Sequence, residues 1–278
     1  MPLPTEITPS QLARLIGTPE APVLVDVRID EDFAADPVLL PAAFRRDHRD
    51  VARWAPSLAG RRVVVICQRG HKLSQGAAAW LRHAGIHALT LEGGFEAWRA
   101  AAGLTIRLCE HVARDEAGHM VWVTRARPKI DRIACPWLIR RFVDPQAVFL
   151  FVAPSEVEAV GTRFNATPFD VDSAFWSHRH PVDSPDHTCT FDTMLDEFGL
   201  TSPALARLAA IIRAADTDRL DLAPQAAGLL AASLGLSRMF SDDLAQLDAG
   251  MMLYDAFYRW SREATEETHN WPNPGKRS

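Results

Sequence analysis

Cysteine is scarce in this chain. Its 278 residues hold four, Cys67, Cys109, Cys135 and Cys189, widely spaced and without a Cys-x-x-Cys pair. That speaks against a disulfide framework and fits free thiols in a reducing cytoplasm. Long hydrophobic runs are missing: no apolar stretch reaches the roughly 18–20 residues that a membrane-spanning helix needs. The first residues, Met1-Pro-Leu-Pro-Thr-Glu6, lack both the basic region and the apolar core of a secretory signal. A cytoplasmic location is the expectation. Basic charge is in deficit, 30 Lys and Arg against 35 Asp and Glu, for a net charge of −5. That argues against a general binder of nucleic acid or anionic membrane. Apolar material is ample at 47%, so the chain can build real cores, as one large domain or two ordinary ones.

The chain's most reactive stretch by composition is Cys67-Gln68-Arg69-Gly70-His71-Lys72-Leu73-Ser74. A β-branched run, 61–66, precedes it and reads as a buried strand. A helix pattern follows, with Ser74 near its start and Gly85 at its stop. Cys67 therefore sits where a strand ends and a loop turns into a helix. Backbone N–H groups and the helix dipole there favour an anion, and Arg69, His71 and Lys72 lie close in sequence. A lowered thiol pKa is expected, with Cys67 the first of the four cysteines to be alkylated. The alternative is an inert core cysteine ending a strand.

Strands at 23–27, 63–66 and 87–91 alternate with helices after Thr8 and at 95–102, which predicts a parallel α/β layer over 1–105. In such sheets the site lies beyond the carboxyl ends of the strands. Asp26 and Arg28 end a neighbouring strand, where they either line the site or fix the loop as an ion pair. A linker is expected over 106–124, followed by a mainly α-helical (α+β) domain over 125–278. A strand is predicted at 120–124, where the linker ends, and another at 148–152, and Ser155 to Glu158 reads as a capping box opening a helix to about Thr162. Pro136 predicts that a helix starts near Cys135 or kinks there. Arg132, Arg140 and Arg141 are candidate oxyanion ligands, or members of a salt-bridged helix face. The mostly looped stretch 164–190 and its flanks hold His178, His180, His187, Cys189, Asp170, Asp192 and Asp216, all possible metal ligands, in a spacing that matches no standard zinc pattern.

Leu-Val-Asp-Val-Arg (24–28), Cys-x-x-Gly (67–70) and Leu-Glu-Gly-Gly-Phe-Glu-Ala-Trp (91–98) together resemble a rhodanese domain. The resemblance implies that Cys67 is a sulfur-carrying nucleophile passing through a persulfide, with Gln68, Arg69, Gly70, His71, Lys72, Leu73, Asp26 and Arg28 about the anion or substrate loop. Two departures stand out. Ala35 to Ala43 replaces the usual Gly-His-Ile-Pro-Gly-Ala segment, and the loop from Cys67 to Leu73 reads as one residue longer than that of sulfurtransferases. In related folds the longer loop accompanies phosphate or arsenate chemistry and ends in arginine, but here that place is Leu73, which argues against a phosphatase.

The second half resembles the C-terminal domain of ChrB-type chromate-resistance proteins. The carrying motifs are Asp131 to Phe142, Pro168-Phe-Asp-Val171, Ser177-His178, Cys189-Thr-Phe-Asp192 and Ala215-Asp-Thr217. Among the possible ligands, His178, Asp192 and Asp216 fall in these motifs, whereas His180 and His187 lie in an insert. The resemblance thus implies one divalent ion, zinc, manganese or iron, on His178, Asp192 and Asp216, with Asp131 as a fourth or supporting ligand and Arg132 receiving an oxyanion. No organic cofactor is expected. The expected function is oxyanion resistance, with turnover by a sulfurtransferase or a thiol-dependent oxyanion reductase; partners are a small oxyanion or sulfur donor and a thiol acceptor. The alternative is a non-catalytic, chromate-sensing or regulatory binding protein. Full regulators of the ChrB type carry an N-terminal DNA-binding region, which a rhodanese-like domain replaces here, so nucleic acid is not an expected partner.

Overall fold

The structure is a computed structural model that describes residues 5–109, 111–172, 174–179 and 188–268. The first half runs β1 (Glu6–Ile7), α1 (Pro9–Leu15), β2 (Val23–Asp26), α2 (Asp30–Ala35), β3 (Val38–Leu39), β4 (Ala43–Arg45), α3 (Val51–Trp54), β5 (Arg62–Ile66), α4 (Lys72–His83), β6 (His87–Leu91) and α5 (Gly94–Ala100). The strands β1-β6-β5-β2-β4 form one parallel sheet in that order. Strand β5 lies at its centre, and Val63, Val64, Val65 and Ile66 are all buried because both faces are covered. Thr8 opens α1 with a capping box to Gln11, and Pro9 occupies the first turn, where its missing N–H has no cost.

The stretch 106–124 contains one short strand and most of a second. Strand β7 (Ile106–Arg107) pairs antiparallel with β3 and so belongs with the first sheet's flank. Strand β8 (Val121–Arg125) is the middle of a second parallel sheet, β10-β8-β9, with β9 at Val148–Val152 and β10 at Thr167–Pro168. Around it stand α6 (Asp131–Leu138), α7 (Val157–Phe164), α8 (Thr190–Phe198), α9 (Pro203–Asp216), α10 (Ala226–Met239) and the 21-residue α11 (Asp243–Glu263).

At Pro136 the structure excludes a helix start near Cys135, and at Ser155 it corrects the expected capping box. Helix α6 starts at Asp131, five residues before Pro136; the proline has no N–H to give the preceding turn, and the chain widens into a π-helical turn at Ile139–Val143. Ser155 caps nothing: Pro154–Glu156 forms a 3-10 turn, Ser155 Oγ bonds Glu156, and α7 begins only at Val157.

The halves share one apolar core. Trp137, fully buried, makes ring contacts with Phe142, Phe191, Tyr254 and Tyr258, and the cluster continues through Leu12, Ile16 and Trp98 of the first half. Ala42 donates its backbone N–H to Phe142 O at 2.6 Å, and Arg262 reaches back to Ile16 O at 3.2 Å. Gly17 marks a close approach of the halves. Its φ is +75°, and a Cβ there would stand 2.3 Å from Phe142 Cζ and 2.9 Å from Tyr258 Cε1. We predict that Gly17→Ala lowers unfolding stability by about 2–4 kcal/mol, combining a left-handed backbone penalty with overpacking. The urea midpoint checks this; an unchanged midpoint means the halves do not pack here.

Candidate functional site

Cys67 directly follows β5, and its Sγ lies 3.1 Å from Ser74 Oγ. The loop before α4 is shorter than the sequence reading gave, because Lys72 and Leu73 already lie in the helix and His71 is its N-cap. Leu73 packs, partly buried, on the core beneath; His71, Lys72 and Arg69 are exposed, and Arg69 pairs with Glu96 at 3.2 Å. The loop is held by α5: Cys67 O accepts from Phe95 N at 2.9 Å and Gln68 O from Glu96 N at 3.0 Å. Gly70 and Gly94 make this approach possible; a Cβ on Gly94 would lie 2.3 Å from Cys67 O and 2.4 Å from Gly70 N. With the carbonyls committed to α5, the N–H groups of Gln68, Arg69, Gly70 and His71 have no protein acceptor among the described residues.

Asp26 and Arg28 do not line this loop. They form a buried ion pair at 2.7 Å, and Arg28 also donates to Asp36 O and Val38 O and stacks over Phe95 at 3.7 Å. A guanidinium satisfied by two carbonyls, a carboxylate and a ring holds the loop after β2 and has little left for a substrate.

The second constellation forms beyond the carboxyl ends of β8 and β10. Asp131 is the first residue of α6, Asp170 follows β10, His178 lies in a loop and Asp216 ends α9. His178 Nε2 stands 3.2 Å from Asp216 Oδ2, 3.3 Å from Asp170 Oδ1 and 3.7 Å from Asp131 Oδ2. Asp131, Asp170 and His178 each offer an atom within 4.8 Å of the others, the spacing of shared metal ligands. Asp131 is fully buried; its Oδ2 accepts from Thr190 N at 2.5 Å and Phe191 N at 3.3 Å, while its Oδ1 has no hydrogen-bond partner among the described residues.

Burial raises the Asp131 pKa far above the ordinary carboxylate range, and the charges of Asp216 and Asp170 add to it. Burial acts the same way on Asp170, but hydrogen bonds from His178 and Thr190 and the charge of Arg132 outweigh it and hold that pKa low. Hydrogen bonds to Asp170 and Asp216 lift the His178 pKa to about 10. The backbone is strained at this site: Ile130, just before Asp131, has φ 25°, and Asp170 has φ 51°. An acid at the last residue of α9 also opposes the helix dipole.

The structure departs from the predicted ligand set at Asp192, and Asp216 touches His178 but lies outside the group of three that share ligand spacing. Asp192 is tied elsewhere: it accepts from Arg213 through both oxygens, at 2.8 and 3.0 Å, and from Cys189 N at 3.0 Å. Asp170 stands in the cluster instead. Its signal was the Pro-Phe-Asp motif, but sequence alone does not say which of several acids faces the histidine. His180 and His187 lie outside the described residues.

Two arginines touch Asp170 of the cluster: the predicted Arg132, with Nε 3.2 Å from Asp170 Oδ2, and Arg125, 3.4 Å from the same oxygen. Arg140 pairs with Asp248 at 3.3 Å and Arg141 grips Asp255 through two bonds, so neither serves this site as an oxyanion ligand.

Cys135 and Cys189 are fully buried, and burial, reinforced by Asp131, drives both thiol pKa values well up. Cys109 is half-exposed, its thiol also raised by burial. We predict that neutral-pH alkylation labels Cys67 ahead of Cys135 and Cys189, which react only on unfolding, and that Cys67→Ser leaves Cys109 as the one thiol labelled in the folded chain. Peptide mapping checks the order; Cys135 or Cys189 labelling first contradicts it.

Comparison with known proteins follows the same division. Residues 122–261 match the family described as ChrB, C-terminal domain, and residues 8–101 the rhodanese-like domain. Protein ChrB of Cupriavidus metallidurans is 34% identical over 138 residues, 49% of this chain and 39% of that protein, so the chain spans well under half of that relative. Among solved structures, a rhodanese-related protein from Thermoplasma volcanium is 19% identical with TM-score 0.32, covering 36% of this chain and 95% of the other. A rhodanese-like domain protein from Staphylococcus aureus is 26% identical with TM-score 0.31, covering 34% and 90%.

Proposed function

Given that the chain belongs to the family of ChrB C-terminal domains and carries a rhodanese-like domain ahead of it, we propose that it acts in resistance to chromate or a related oxyanion, with Cys67 as its reactive thiol and one divalent metal ion held by Asp131, Asp170 and His178. Asp216, on the same imidazole nitrogen, completes the set. The observation that carries this reading is the convergence of three acidic side chains on His178 Nε2, one of them Asp131 through Oδ2, whose other oxygen, Oδ1, is buried with no partner among the described residues. A buried polar atom left unpaired is costly, and a cation beside it removes that cost. One nitrogen with several carboxylates suits zinc, manganese or iron. Arg132 and Arg125 orient Asp170 from its far oxygen and present positive charge beside the pocket, where an oxyanion would be held.

At Cys67 the chemistry is sulfur transfer. The thiolate attacks the outer sulfur of a donor such as thiosulfate, an S–S bond forms to Cys67 Sγ, and sulfite leaves with the electron pair of the broken bond. A thiolate acceptor then takes that sulfur, leaving as its own persulfide and restoring the Cys67 thiolate. The amides of Gln68 to His71 are available to the anionic persulfide, and Ser74 Oγ is close enough to hydrogen-bond the sulfur. The 4% exposure of Cys67 favours a second reading, in which thiol and pocket sense an oxyanion without turnover.

Two measurements test these assignments. Elemental analysis of the purified chain is expected to find about one metal per chain, the stoichiometry of a mononuclear site. It should fall below about a tenth of that in His178→Ala and Asp170→Ala and persist in Asp192→Asn; full metal in the first two, with native circular dichroism, rules the site out. Thiosulfate turnover is expected in the native chain and absent in Cys67→Ser; no turnover in the native chain supports sensing instead.

A further inference from the structure

Between the two halves, away from both sites, lies a cleft of about 880 Å³. Neither Cys67 nor His178 lines it. Its walls carry seven arginines, at 45, 46, 61, 107, 114, 140 and 141, against two aspartates, Asp144 and Asp248, in a chain whose net charge is −5. Three of these arginines are neutralised: Arg45 by Asp30, Arg140 by Asp248 and Arg141 by Asp255. Arg46, Arg61, Arg107 and Arg114 have no carboxylate partner among the described residues. Asp144 is occupied by the N–H groups of Met120 and Gln146. A concave surface with this excess of guanidinium charge concentrates anions.

We infer that this interdomain cleft binds a phosphorylated organic polyanion of the size and charge of a nucleoside diphosphate. The volume falls in the range of small-molecule pockets, roughly 300–1,000 Å³. A lone tetrahedral oxyanion, held by one or two guanidinium forks, leaves most of such a space unfilled. Several uncompensated arginines suit two linked phosphates, since each fork matches phosphate oxygens in pairs. The remaining wall is apolar, from Leu39, Phe44, Ile106, Leu108 and Met251, with the Arg46 guanidinium 4.6 Å over the Phe44 ring. That wall suits the body of an organic phosphate rather than bare phosphate. Closure by two domains suits a small ligand better than a nucleic-acid strand. The inference does not depend on the metal site or on Cys67.

Calorimetry on the full chain at low salt, with ADP, pyrophosphate and adenosine as probes, tests it. ADP is expected to bind one to one, pyrophosphate more weakly, and adenosine not detectably. Arg61→Gln and Arg114→Gln, both exposed changes, should each weaken ADP roughly tenfold, the lower range for a charge-assisted hydrogen bond. Arg163→Gln, an exposed arginine on α7 outside the cleft, should leave ADP affinity unchanged. The proposal is overturned by no ADP binding at millimolar concentration, by equal affinity for ADP and pyrophosphate, by equal weakening in Arg163→Gln, or by tighter binding of a single-stranded oligonucleotide than of ADP.

Discussion

A carboxylate with no access to solvent organises the second half of this protein. Asp131 begins α6, yet one of its oxygens accepts the first two N–H groups of α8, a helix some sixty residues further on. Those amides are the unsatisfied positive end of a helix, so the contact serves charge and hydrogen bonding together. It also brings the segments bearing Asp170, Thr190 and His178 to one point. Remove that side chain and α8 loses its terminal acceptor, while the imidazole loses one of three acidic neighbours.

The same region concentrates what folding normally avoids: a buried acid with a free oxygen, residues at positive φ, and an acid at a helix C-terminus. Each is unfavourable alone. Their coincidence around one histidine is what distinguishes this cluster from the salt bridges of Arg140, Arg141 and Arg213, which are satisfied pairs. In the first half the corresponding economy is geometric. Two glycines let the Cys67 loop rest on α5, so its carbonyls are bonded there and its amides are not.

Packing joins the halves more firmly than a linker reading allowed. The hydrophobic pattern at 120–124 was visible, but short strands gain their stability from partners distant in sequence, here β9 and β10, and β3 for the strand at 106–107. Likewise Pro136 signalled a break, and the helix tolerated it by widening after the proline, since the buried contacts of Trp137 hold it in place.

Much of the first domain was legible from period and punctuation: the β-branched runs of β2 and β5, Thr8-Pro9 at a helix start, and the strand-to-helix setting of Cys67. These depend on neighbours in sequence, so sequence carries them. His178, Asp131 and Asp216 were legible only through the motifs that resemble the ChrB-type domain, since their spacing matches no standard metal pattern. Which acids face His178 was settled only by the fold. Asp170 and Asp192 are chemically alike and equally well placed in sequence; Arg213, one turn before the end of α9, claims Asp192, and the strained turn after β10 presents Asp170. The interdomain cleft was invisible for the same reason. Its arginines are scattered from 45 to 141 in an acidic chain, and only the packing of one domain on the other gathers their charge into a single concave wall.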